Sequence, residues 1–94
     1  MALCYLEIKV DLPYSQNLKE KRGIIKSIIS RSSKKFNISI AEIDLNDFWQ
    51  SALLGIALVS NDGKTFDNVI KNLVNFLEIN YPDIIISITA KEIF

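Results

Sequence analysis

The chain has no histidine, one cysteine, two prolines and three glycines in 94 residues. Without histidine there is no imidazole base and no Cys/His zinc cluster, and a single cysteine closes no internal disulfide. Only carboxylates remain as metal ligands. With so little proline and glycine and no low-complexity run, nothing divides the sequence, so a single domain over residues 1–94 is expected, large enough to bury a core without staples. No stretch approaches the roughly 18 uninterrupted apolar residues of a membrane span, and MALCYLEIKV has neither the basic start nor the cleavage site of a signal peptide. A soluble cytoplasmic protein with no membrane association is therefore expected, and Cys4, inside an apolar run, reads as a small buried hydrophobe.

What the chain does have is a polarised charge. Between Leu18 and Phe36 lie Lys19, Lys21, Arg22, Lys26, Arg31, Lys34 and Lys35 against Glu20 alone, a local charge of +6 in a chain whose formal total is zero. The rest of the molecule carries the balancing negative charge, so a basic face can meet an anionic partner while the remaining surface stays acidic. The same stretch has the strongest helix start: Asn17 as N-cap with Glu20 three residues on is capping-box spacing. At about 100° per residue, Leu18, Ile25, Ile28, Ile29, Ser32 and Phe36 gather on one side and Lys19, Arg22, Lys26 and Lys34 spread over the other. Gly23 falls on the cationic side, where a missing side chain allows close packing, has no consequence, or lets a phosphate approach the backbone.

The remaining elements follow in order. Ala2 to Leu12 alternates with period two, Leu6, Ile8, Val10 and Leu12 opposing Glu7, Lys9 and Asp11, and Pro13 ends this first strand. Asn37 terminates the helix. Ile38 to Leu45 reads as a second strand with imperfect alternation, a bulge or an edge. Asn46-Asp47 turns the chain into QSALLGIALVS, Gln50 to Ser60, apolar on both faces; Gly55 there marks a bulge or the close approach of another backbone. Asn61-Asp62-Gly63 opens a second helix, Lys64 to Asn80, whose Phe66, Val69, Ile70, Leu73, Val74, Leu77 and Tyr81 repeat at three and four residues. Pro82 stops it before a β-branched strand from Ile84 to Lys91. The order β-α-β-β-α-β with right-handed crossovers specifies an α+β, ferredoxin-like fold: a four-stranded antiparallel sheet with both helices on one face. Tyr5 and one side of the third strand then lie on the uncovered face, with Ile38, Ile40 or their neighbours beside them. A symmetric homodimer is the simplest cover for such a face.

Leu12-Pro13, Leu18-Lys19-Glu20-Lys21-Arg22, Phe36 to Asp44 (FNISIAEID), Phe48-Trp49-Gln50 and Leu54 to Asp62 (LGIALVSND) together resemble the YlxP-like family of small bacterial proteins, classed as a domain of unknown function. The sequence departs at Asn17, where serine is expected as the cap, and at Leu45-Asn46, where a His-Gln pair is common; the second removes any histidine-dependent role for that turn. The resemblance implies a ferredoxin-like fold and, from the company such proteins keep in bacterial operons, a link to translation or ribosome maturation. It implies no catalytic activity.

The fold hosts several chemistries, so function is argued from sites. An acylphosphatase-like site needs an arginine in the loop after the first strand, and Pro13 to Gln16 has none. A metal carrier would place paired cysteines there. An RNA-recognition motif would put stacking aromatics on the first and third strands, and LLGIALVS has none. Glu42, Asp44 and Asp47 cluster near the hairpin with no nucleophile or base, so turn capping accounts for them more simply than Mg²⁺ binding or acid/base work. Phe48 and Trp49 either stack on a base or anchor the hairpin to the core, and anchoring is the expectation. The candidate nucleic-acid-binding residues are thus Lys19, Arg22, Lys26 and Lys34, with Lys21, Arg31 and Lys35 nearby, and the expected partner is structured RNA or a ribosomal subunit. The competing readings are a solvated helix face and a homodimer through the open sheet. No catalytic residue, metal or cofactor is expected.

Overall fold

Alternation makes the first element a strand, and its apolar side decides where everything else packs. In the computed structural model, which describes residues 1–94, the elements are β1 (Ala2–Asp11), α1 (Leu18–Lys35), β2 (Ser39–Asp44), β3 (Ser51–Ser60), α2 (Phe66–Asn80) and β4 (Ile85–Ile93). The sheet runs in the order β2-β3-β1-β4 with every neighbouring pair antiparallel. Cys4, Leu6, Ile8 and Val10 stand opposite Leu58, Ile56, Leu54 and Ala52, and all eight are buried beneath Ile25 and Ile28 of α1 and Phe66, Ile70, Leu73 and Leu77 of α2. Burial pushes the Cys4 thiol above its ordinary range, as a sulfur without water should behave.

The helix ends follow their local chemistry. Asn17 Oδ1 accepts from the Glu20 N–H at 2.9 Å, and Glu20 Oε2 accepts from the Gln16 N–H at 2.9 Å, one residue before the cap that the spacing predicts. α1 ends at Phe36, whose N–H donates to the Ser32 carbonyl. Asp62 Oδ1 accepts from the Lys64 N–H to start a 3₁₀ turn over Gly63–Thr65, which leads directly into α2. On the opposite edge, Lys91 of β4 reaches Asp67 of α2 at 2.6 Å; this bond holds the ammonium proton on, above the usual lysine range.

One expectation about the sheet is met and another needs correction. β2 is an edge strand with a register shift between Glu42 and Asp44, as its broken alternation implies. Gly55, however, is neither a bulge nor a backbone contact. A Cβ there would sit 3.0 Å from Ile43 Cγ2 and 3.2 Å from the Tyr5 hydroxyl, so two side chains close over the glycine on the outer face. The register shift also leaves Glu42 opposite Leu54 on the helix side and Asp44 opposite Leu53 on the outer side.

The largest departure is Lys21. It has 0% exposure, in the same arc of α1 as Ile25, Ile28 and Ser32, and its side chain passes beneath the helix to the β2–β3 hairpin. There Nζ donates to the Leu45 carbonyl at 2.6 Å and more weakly to the Asn46 carbonyl at 3.4 Å. It lies 2.8 Å from Glu42 Oε2. That oxygen has no hydrogen bond of good geometry, so the contact is an ion pair rather than a directional bond. A buried ammonium survives only when paired and hydrogen-bonded, and these three oxygens supply both conditions. They also explain Leu45, which sits at φ 63, a left-handed conformation a leucine rarely adopts without support. Lys21→Ala should therefore cost about 3 to 5 kcal/mol of unfolding free energy, because it strands Glu42 and two carbonyls. Urea unfolding measures this; replacing Glu42 by methionine alongside Lys21→Met should recover much of the loss, whereas a Lys21→Ala variant as stable as wild type would contradict the buried pair.

Candidate functional site

The seven cations of α1 divide according to what each side chain meets. Lys21 is consumed by the hairpin. Arg31 belongs to α2 and its C-terminal cap: its guanidinium donates to Asn80 Oδ1 at 2.8 Å and lies 5.4 Å from the Phe76 ring centroid and 5.5 Å from that of Tyr81. Lys35 rests its ammonium 5.5 Å from the Phe76 ring, which in turn meets Phe36 edge to face. The Tyr81 hydroxyl shares a 2.7 Å hydrogen bond with Ser27. These contacts seal α1 to α2, so Lys21, Arg31 and Lys35, expected near the candidate face, are engaged elsewhere.

Lys19, Arg22, Lys26 and Lys34 remain. All four are exposed, and none has a carboxylate oxygen within 4.0 Å. On a helix of 3.6 residues per turn they occupy an arc of about 120°, centred opposite the buried arc, and run about 22 Å along the axis. Exposed Gly23, Ser30 and Ser33 fill the positions between them. A Cβ at Gly23 would meet nothing within 4 Å, so the glycine serves no packing role. The four residues singled out from the sequence are thus brought together as one unpaired stripe. Physically, such a stripe attracts a polyanion by charge and shape without reading any particular side-group chemistry.

The carboxylates near the hairpin do not form a site. Glu42 turns to Lys21, Asp44 Oδ1 accepts from the Leu45 N–H at 2.8 Å, and no group of three or more potential ligands gathers at metal-holding distance. Phe48 and Trp49 correct another expectation: they do not anchor the hairpin but are 60% and 46% exposed. Lys21 and Gln50 take that task. The Gln50 carbonyl accepts from the Leu12 N–H, and its Nε2 reaches the Ser15 and Pro13 carbonyls at 3.3 and 3.5 Å.

The outer sheet face also shows its composition. Leu3 and Tyr5 of β1, Ala41 and Ile43 of β2, and Leu53, Ala57 and Val59 of β3 point away from the helices. Glu7, Lys9 and Asp11 make the other half of that face polar. Ile40 is opposite Ile56 on the helix side, so its neighbours, not it, contribute to the outer surface. The Tyr5 phenol is pushed up by desolvation and by its hydrogen bond to Glu7. No helix is long and apolar enough to cross a membrane.

Comparison with known proteins decides the family. A family model described as "Protein of unknown function (DUF503)" matches residues 3–90. The chain belongs to the DUF503 family. The uncharacterized protein YlxP of Bacillus subtilis (strain 168) is 38% identical over 78 residues, 83% of this chain and 84% of that one. Among solved structures, a de novo designed protein with ferredoxin fold, LFR1 1, superimposes with a TM-score of 0.65 at 17% identity, covering 95% of this chain and 84% of the design. The designed protein Foldit4 gives 0.59 at 12% identity, covering 98% and 96%. These two likenesses establish the ferredoxin-like fold alone, and in DUF503 chains as elsewhere the fold does not specify an activity. Within the α1 stripe, Gly23→Ala should raise stability by about 0.5 to 1 kcal/mol, since it adds helix propensity where there is room. A thermal melt tests this, and a destabilised variant would show that the position is constrained by something other than solvent.

Proposed function

We propose that this protein is a non-enzymatic, cytoplasmic RNA- or ribosome-associated factor that holds structured RNA against the outer stripe of α1. The observation that carries the reading is the division of the helix cations: three are spent on internal contacts, and Lys19, Arg22, Lys26 and Lys34 are left exposed, aligned and unpaired. None of the four forms an ion pair within the chain; Lys34 alone, in the last turn of α1, also complements the helix dipole. A stripe of this kind suits the phosphate backbone of a folded RNA, which proteins recognise largely by shape and backbone contacts. The acidic remainder of the surface disfavours other approaches and so orients the RNA toward α1. The link to translation implied by the family resemblance points the same way.

Co-sedimentation with ribosomal subunits across a salt series tests the proposal. Wild-type binding should weaken with salt, with a log–log slope of roughly −3 to −4 if four phosphate contacts form. An Arg22→Glu, Lys26→Glu double variant should lose binding while keeping its unfolding midpoint. Equal binding by both proteins, or none by either, would remove α1 as the contact.

A second reading rests on Leu3, Tyr5, Ile43, Leu53, Ala57 and Val59, an apolar half-face directed away from the helices. In that case a homodimer or regulatory module forms through the open sheet and has no nucleic-acid role. Sedimentation equilibrium should then find a dimer that Val59→Asp breaks and the α1 double variant leaves intact; a monomer at all accessible concentrations would dismiss it.

A further inference from the structure

The two edges of the sheet are not equally protected. β2, at one edge, is short, carries a register shift between Glu42 and Asp44, and bears both of those carboxylates. Short length, a displaced ladder and charge are the devices that keep an edge strand from pairing with another chain. At the other edge, β4 divides in two. Its second half has a register shift where it passes Glu7 and Ile8 of β1, and it bears Lys91 and Glu92. The stretch before that shift, Ile84-Ile85-Ile86-Ser87-Ile88, has no charge, no proline and no shift. Ile85 and Ile88 there are 57% and 49% exposed.

The backbone groups left over on this stretch follow from the ladder. Leu3 of β1 and Phe94 exchange both hydrogen bonds, so the odd-numbered residues of β1 turn their N–H and C=O toward β4. Lys9 opposite Ser87 and Asp11 opposite Ile85 are pairs of this kind. Ile86 and Ile88 alternate with them and direct their own N–H and C=O away from β1, where the sheet has no further strand. The Ile84 carbonyl belongs to the same row, while the Ile84 N–H is already donated to the Tyr81 carbonyl at 3.2 Å. Donors and acceptors at this spacing are matched by another extended strand.

The strand that fits is β4 itself. Turned about a two-fold axis at Ile86, perpendicular to the sheet, Ile86 meets Ile86 of a second copy and exchanges both bonds with it. Each Ile88 N–H then reaches the other copy's Ile84 carbonyl, so the one N–H already used inside the chain is the one this register does not need. The ladder ends for reasons present in the sequence: before Ile84 stands Pro82, which has no N–H, and after Ile88 comes the register shift. The two-fold axis sets these two stops against each other. Ile86 and Ile88, opposite Val10 and Ile8, lie on the helix side, so isoleucine packs on isoleucine across the axis and the half-exposed Ile88 is covered. No like charges meet. A β4–β2 pairing between copies would be head-to-tail and leave an edge free on each, whereas β4–β4 pairing closes as a dimer.

We propose that β4 pairs antiparallel with β4 of a second copy of this chain, centred on Ile86, joining two sheets into one continuous sheet with all helices on the same side. This pairing is distinct from a dimer through the outer sheet face, and it does not rest on the RNA reading.

Sedimentation equilibrium from micromolar to millimolar protein should show a monomer–dimer equilibrium. Ile88→Lys places a charge in the ladder at an exposed position and should weaken the dimer about tenfold or more while the monomer keeps its unfolding midpoint. Val59→Asp, on the outer face, should leave the dimer intact. Register is tested by oxidative cross-linking of Ile85→Cys and Ser87→Cys, two exposed positions that face each other across the axis; the native Cys4 is buried. The two variants mixed should form a disulfide-linked dimer, and each alone, two residues out of register, should not. A monomer at every concentration would overturn the proposal, as expected if this edge is left to solvent or takes a strand from a different protein. A dimer broken by Val59→Asp and indifferent to Ile88→Lys would overturn it in favour of the outer face, and cross-linking by either cysteine variant alone would overturn the register.

Discussion

The buried ammonium of Lys21 is the constraint on which the rest of the structure depends. It is the one charge the fold takes wholly out of water, and its partners come from β2 and from the hairpin after it. A lone buried charge is costly, so the side chain enforces its own surroundings: Glu42 must face the helix, and the Leu45 and Asn46 carbonyls must converge. Glu42 can do so while Asp44 faces outward because β2 shifts register between them. Edge bulge, left-handed Leu45 and buried lysine are thus one arrangement seen from three sides.

That arrangement explains the division of charge on α1. With Lys21 beneath the helix, and Arg31 and Lys35 laid across the aromatic rings of α2, the internal contacts of the helix are complete. The four outward cations make no ion pair within the chain and repel one another modestly, so they are the charges of α1 left to solvent or to a partner. A four-stranded sheet under two helices needs neither a buried lysine, nor a leucine at positive φ, nor exposed aromatics on a braced loop. Those are the features by which this chain departs from an idealised version of its fold, and they meet at the entry to α1.

Much of this was legible from residue order. Period-two alternation in β1, the three-and-four spacing in α2, Asn17 with Glu20, and the Pro82 stop each act locally, and local signals survive translation into structure. Lys19, Arg22, Lys26 and Lys34 were legible for the same reason: helical geometry alone places them opposite Ile25 and Ile28. Lys21 was not, because polarity argued for the surface while angle argued for the core; it falls between Ile25 and Ile28 on the wheel, and that angle was the available signal. The role of Gln50 depends on contacts between residues more than 30 apart in sequence, which no local pattern contains. Gly55 was misread likewise: the groups that close over it come from β1 and from the displaced Ile43.

The central claim is that α1 presents its outer stripe to RNA, and amide mapping of the ¹⁵N-labelled protein with a structured RNA tests it most directly. The account predicts salt-sensitive shift changes clustered at Lys19, Arg22, Gly23, Lys26, Ser30 and Lys34, with Leu53, Ala57 and Val59 on the outer sheet face unmoved. Changes confined to the sheet face, or no changes at low salt, would contradict it.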